Sequence, residues 1–156
     1  MPCMPERLYT RDRRIHLAAP VMIADFQRLQ QSLKEAERAK ADTAPTGLML
    51  IGRRQLRSNN SWCHNSERLM KGPERCTLIM HPGDATPRGI ADGERVRVRS
   101  RVGQVDVPVS VSDEVMSGVV SLPHGFGHNR PGTRWRVAEA HPGVSVNDLT
   151  DESLFD

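Results

Sequence analysis

Apolar residues along this chain change their spacing once, near Gly47. Before that point Ile23, Phe26, Leu29, Leu33 and Ala36 recur at steps of three and four, which is one stripe of an amphipathic helix running to about Ala41. The stripe predicts packing against the body of the protein. Residues 1–20 show no period and contain Pro2, Pro5 and Pro20, so they read as an arm, and Asp42 to Gly47 reads as a linker. After Gly47 the runs shorten. Leu48 to Ile51, Cys76 to Met80 and Gly118 to Leu122 read as buried strands. Val96 and Val98 alternate with Arg95, Arg97 and Arg99, and Val105, Val107, Val109 and Val111 continue the period of two. Pro82-Gly83-Asp84 reads as a turn into one helical turn, with Asp84 as N-cap and Gly89 closing it. About six short strands with a few helical turns among them predict a mainly β fold, a small barrel with an N-terminal helical arm.

Composition narrows the class. A chain of 156 residues is one domain, or one domain with an appendage, and 26% charged residues suit an ordered globular protein. No apolar run approaches the roughly 18 residues that a membrane-spanning helix needs. Cys3, Cys63 and Cys76 are an odd and sparse set, which argues against a disulfide scaffold and makes the reducing cytoplasm the expected compartment. Arg13-Arg14 before a short apolar run has the look of an export signal, but His16 and Pro20 break the run and an amphipathic segment follows it directly.

The net charge of +3 is unevenly spread. Residues 1–46 carry +2, residues 47–136 carry +6 and residues 137–156 carry −5, so an anion would be held by the middle of the chain. Two segments there could do so. The stretch Gly52 to Asn65 follows a strand and holds three arginines, two serines, three asparagines, His64 and Trp62. Such donors, with free backbone N–H groups in tight turns, suit a diphosphate, and the Trp62 indole either stacks on a heterocycle or caps the core. Pro123-His124-Gly125-Phe126-Gly127-His128-Asn129 follows another strand, and its glycines let backbone approach a ligand closely. The two histidines there are four apart, but Gly125 and Gly127 make a helix untenable and no third ligand stands at a recognisable spacing, so no protein-bound metal is expected. Arg95, Arg97, Arg99 and Arg101 form a stripe that reads as a solvated strand face. A nucleic-acid surface is the alternative, and no known nucleic-acid motif surrounds the stripe. Nucleophile elbows, Walker loops and dinucleotide glycine fingerprints are missing from the sequence, and no catalytic residue is expected. The residues describe a binder.

Several segments in order carry a resemblance. They are Leu50-Ile51-Gly52-Arg53-Arg54 with Arg57 to Trp62 and His64-Asn65, then His81-Pro82 with Asp84-Ala85, then Gly89 to Gly93 leading into Val96 to Ser100. Gly118-Val119-Val120 with Pro123 to His128 and Val146 to Thr150 complete the series. Together they resemble the C-terminal molybdopterin dinucleotide-binding domain of the molybdopterin oxidoreductases, the dimethyl sulfoxide reductase superfamily. The resemblance implies a double-psi β barrel over residues 47–156. It implies a molybdenum or tungsten cofactor carried by molybdopterin guanine dinucleotide. It also places Arg53, Ser61, Trp62, His64, Asn65, His124, Gly125, His128 and Asn147 at that cofactor. Cys63 stands where the family often has methionine, and Phe126 where it often has tryptophan. Family members continue past the equivalent of Phe155-Asp156 into another strand, so a barrel lacking its last strand is expected, with residues 1–46 as the end of a preceding domain or a connector. The family's metal ligand and substrate funnel belong to other domains, which makes the expected partner a catalytic chain or domains of such an oxidoreductase. The competing expectations are a truncated, idle fragment and a basic barrel that binds nucleic acid.

Overall fold

A computed structural model describes residue 4, residues 6–42 and residues 47–151, with side chains left out for 36–42. Cys3, the greater part of the expected linker (43–46) and Phe155-Asp156 lie outside the described residues. The chain divides into two units, Met1–Thr46 and Gly47–Asp156. In the first, helix α1 spans Pro20–Asp42. It begins three residues before the apolar stripe because proline is tolerated in a first helical turn, where its missing N–H is not needed. Arg28 donates to both carboxylate oxygens of Asp25 one turn earlier, at 2.7 and 2.9 Å. Within this unit the stripe residues Ile23, Phe26, Leu29 and Leu33 stay exposed.

The second unit is mainly β. Its strands are β1 (Met49–Arg53), β2 (Leu78–Met80), β3 (Arg95–Arg99), β4 (Gln104–Val111) and β5 (Val119–Pro123). Among the described residues they form one mixed sheet in the order β1-β5-β2-β4-β3. β1 runs parallel to β5 and β2 parallel to β4, while β2–β5 and β3–β4 are antiparallel. The alternation read from the sequence sets which faces are buried. Val105, Val107 and Val109 of β4 point inward, and Gln104 and Asp106 point to solvent. Leu78, Met80, Val120 and Leu122 meet them, and Val146 and Leu149 close the core from the C-terminal segment. Burying each of these side chains is worth ~1.5–3 kcal/mol. Met70, Cys76 and Phe126 form a second, smaller cluster. Short helices α2 (Glu67–Met70), α3 (Pro82–Ala85) and α4 (Arg136–Ala140) lie between or after the strands.

The helical turn at residues 82–85 forms, but its cap is different from the one expected. The N-cap is His81, whose ring Nδ1 accepts the Gly83 N–H at 3.0 Å. Asp84 lies inside the turn and is nearly buried. Its carboxylate accepts the Gly118 N–H at 2.7 Å and the Ser117 hydroxyl at 3.0 Å, so it ties α3 to the turn that leads into β5. A side chain that can accept two long-range bonds is taken from the local cap, and histidine fills in. These bonds hold the Asp84 carboxyl below its ordinary value of 3.8. Gly89 does close the following 3₁₀ turn (Thr86–Arg88) in the left-handed region, as expected.

A lowered carboxylate contributes stability above its unfolded-state value and loses it as pH falls through its folded-state value. Asp84→Asn is therefore expected to lower the melting temperature at neutral pH. Below the carboxylate range the gap between wild type and variant should close, and melting curves taken down through that range check both outcomes.

Candidate functional site

Because β1 and β5 are parallel neighbours with Arg53 beside Pro123, both candidate loops leave the sheet at the same end. They are then pressed together. A Cβ on Gly125 would fall inside the Asn60 peptide and 2.6 Å from Ser61 N, and Gly125 sits at φ +82°. Asn59 and Asn60 both adopt the left-handed region, which asparagine tolerates better than most residues, and so carry that peptide to its seat. A Cβ on Gly52 would strike the His124 ring, 2.8 Å from its Cδ2. The two donor-rich segments are thus one surface.

His64 stands at the centre of it, fully buried. Its Nδ1 lies 2.9 Å from the Gly125 carbonyl oxygen and its Nε2 2.9 Å from that of His141. The ring meets Phe126 edge-on at 4.6 Å and His128 edge-on at 4.4 Å between centroids. Burial pushes the His64 imidazole below its ordinary value of 6.5, although the two carbonyls pull the other way. His128 places its Nε2 2.8 Å from the same Gly125 oxygen and packs its ring on Trp135.

The other expected residues divide by the direction of their polar atoms. Arg53 is half-buried and turns its guanidinium inward, donating to the Ser121 carbonyl and to the carbonyl and hydroxyl of Thr77. Burial lowers its affinity for its proton. Asn65 accepts the N–H groups of Val137 and Ala138 on its Oδ1, at 3.0 and 3.3 Å, and thereby caps α4 from across the domain. Ser61, His124 and His128 are half-exposed, and Asn147 is exposed. Trp62 is 86% exposed. The indole therefore stands on the surface, and does not cap the core. His64 and Arg53 build the face, Asn65 places its Oδ1 on α4 while the residue itself stays exposed, and Ser61, Trp62, His124, His128 and Asn147 have surface to offer a ligand.

None of the nine lines the cavity of about 530 Å³ that opens beside the turn after β5, whose floor is Met70, Cys76, Phe126 and Val144. Ser61, Trp62, His124 and His128 stand instead at the surface of the two loops. Burial raises the Cys76 thiol, and its sulfur accepts the Val144 N–H at 3.3 Å, so it serves packing. The arginine stripe on β3 is engaged within its own hairpin. Arg97 pairs with both oxygens of Asp106, Arg95 donates to the Asp106 carbonyl and Arg99 to Gln104. No helix among the described residues is long and apolar enough to cross a membrane.

A mainly β domain with two interlocked donor-rich loops at one end of its sheet defines a ligand-binding module. The chain belongs to the family of the molydopterin dinucleotide binding domain, whose model matches residues 48–156. It is similar to the dimethyl sulfoxide/trimethylamine N-oxide reductase of Rhodobacter capsulatus, 48% identical over 56 residues, which are 36% of this chain and 7% of that protein. It is also similar to the trimethylamine-N-oxide reductase of Haemophilus influenzae, 40% identical over 52 residues, or 33% of this chain and 6% of that one. Biotin sulfoxide reductase of Cereibacter sphaeroides is 43% identical over 75 residues, 48% of this chain and 10% of the relative. The structure of acetylene hydratase from Pelobacter acetylenicus matches the fold with a TM-score of 0.53 at 19% identity, covering 78% of this chain and 16% of that one. The chain thus spans about a tenth or less of the curated relatives it matches. It is a molybdopterin dinucleotide-binding domain of the kind found in molybdopterin oxidoreductases.

Gly132 also has a positive φ, +90°, but faces open space. Gly132→Ala should cost only the ~1–2 kcal/mol of a left-handed alanine. Gly125→Ala should cost clearly more, and denaturant titrations of the two variants check the difference. Asn65→Ala should lose ~1 kcal/mol for the missing cap in the same assay.

Proposed function

We propose that this domain caps the molybdopterin guanine dinucleotide of a molybdenum or tungsten oxidoreductase whose catalytic portion lies outside the residues described, and that the interlocked loops are the face it turns to the cofactor. The observation that carries this reading is the junction itself. Two segments rich in donors are seated against each other at one end of a parallel strand pair, with Ser61, His124 and His128 half-exposed and Trp62 standing out beside them. The donor set fits the group: hydroxyl, imidazole and indole N–H suit diphosphate oxygens and ring heteroatoms, and an exposed indole offers a stacking plane. An open face also fits a ligand that is to be enclosed between two bodies, since a cap contributes one wall. The bound group would supply the redox chemistry. This chain's residues bind and orient it.

In this reading His64, Asn65 and Arg53 act by holding the loops, and Asn147 adds a polar group from the 3₁₀ turn Val146–Asp148. The sheet is part of a double-psi barrel whose remaining pairing is completed in the assembled enzyme. The protein works in the cytoplasm with that catalytic partner, and nucleic acid is the less favoured ligand, since the β3 side chains are engaged within their hairpin, Arg97 with the Asp106 carboxylate and Arg95 and Arg99 with neutral acceptors.

Co-expression with the catalytic portion of a reductase, followed by metal and guanine nucleotide analysis of the purified complex, tests the assignment. The complex should retain both, and a complex that forms without nucleotide overturns the reading. Trp62→Ala should lower nucleotide retention by an amount equivalent to ~1–3 kcal/mol, the worth of one stacking contact. The melting temperature of the domain should not move, because the indole is exposed.

A further inference from the structure

The junction poses a hydrogen-bonding problem that a neutral histidine cannot solve. Both ring nitrogens of His64 lie 2.9 Å from carbonyl oxygens, Gly125 on one side and His141 on the other. A neutral imidazole has one N–H and one lone pair, so in either tautomer one carbonyl faces a lone pair. Water cannot relieve the contact, because the residue has no exposed surface. Only the imidazolium, with two N–H groups, satisfies both acceptors. The three segments joined at this ring are the loop after β1, the turn after β5 and the chain after α4. The ring is placed for a state that carries a second proton.

What opposes that state is also in view. Burial favours the neutral ring, and the other titratable groups that bear on it are two more imidazoles, His128 from the turn after β5 and His141 from the segment after α4. Phe126, from the same turn, is an uncharged ring set at 75° to the imidazole, and Asn65 beside it in its own loop is a neutral amide engaged on α4. A second proton on His64 therefore needs a negative charge brought to the face from outside.

We propose that His64 is a proton-coupled pin: a diphosphate bound on the loop face draws a proton from solvent onto the ring's remaining lone pair, and the imidazolium then fastens Gly125 and His141 together. The step makes one N–H bond at the ring nitrogen, and the buffer gives up the proton. This rests on the cofactor-binding reading above and adds to it a position, one that never touches the ligand, where binding and protonation are linked. Binding would tighten as pH falls toward the histidine range.

Diguanosine diphosphate, a diphosphate diester whose own groups do not titrate near neutrality, is the probe. Calorimetry of the whole chain in two buffers of different ionisation heat counts the protons taken up. Wild type should take up about one proton per diester bound, and His64→Gln, which offers one donor and one acceptor whatever the pH, should take up none. Imidazole ¹⁵N spectra of the wild type read the same event without a substitution: the lone-pair nitrogen of His64 should become an N–H nitrogen when the diester is added. Binding with no proton uptake, uptake that persists in His64→Gln, or an unchanged ¹⁵N pattern overturns the pin and leaves the cofactor reading standing. Failure of the diester to bind overturns the pin, whereas the cofactor reading stands or falls with the nucleotide content of the co-expressed complex.

Discussion

Gly125 has no side chain, and the Asn60–Ser61 peptide occupies the space where one would be. The candidate site depends on that contact. The close seating brings the Gly125 carbonyl within reach of two imidazoles, those of His64 and His128, and lets one buried ring join three stretches of chain. Any side chain at 125 would hold the loops apart, and the surface that Ser61, Trp62, His124 and His128 share would become two separate turns. The left-handed asparagines at 59 and 60 serve the same end from the other side of the contact. Strain of this kind persists only where neighbouring packing fixes it, and the buried His64 and Ser58 supply that packing.

The sequence made the elements and the loops visible to different degrees. The stripe from Ile23 to Leu33 gave α1, and the alternation of valine with arginine or polar residues gave β3 and β4, because periodicity is a local property. The loops after β1 and β5 were visible as clusters of donors. What the donors do was not. Asn65 was expected at the cofactor, yet its acceptor oxygen lies on helix α4, and the guanidinium of Arg53 lies on backbone carbonyls of two other segments. Donor content says that a side chain can bond; only the tertiary path of the chain says to what. Asp84 makes the same point, since its partners at Ser117 and Gly118 belong to a turn far along the chain.

Charge shows the opposite limit. An excess of +6 over residues 47–136 suggests a basic surface. In three dimensions part of it is answered at short range by the acidic final segment, with Asp148 pairing with Arg130 and Asp151 with Arg101. Both acidic groups follow their arginines in the chain, across the boundary at residue 136. The asymmetry along the chain partly reflects which half of each ion pair comes first.

The parallel pairing of β1 with β5 carries a cost in time. Met49 finds its partner in Val119 only after β2, β3 and β4 have been made, so the two loops cannot meet until late in synthesis and collapse. Pairings that close so long a stretch of chain are slow, because the entropy of closure is lost before the contact offsets it. A ribosome-bound intermediate lacking β5 would expose β1 and leave its polar loop without a lid. On the proposed reading, the same order of events keeps a half-made domain from holding a cofactor prematurely, since the loop after β1 waits for the turn after β5 that completes the face.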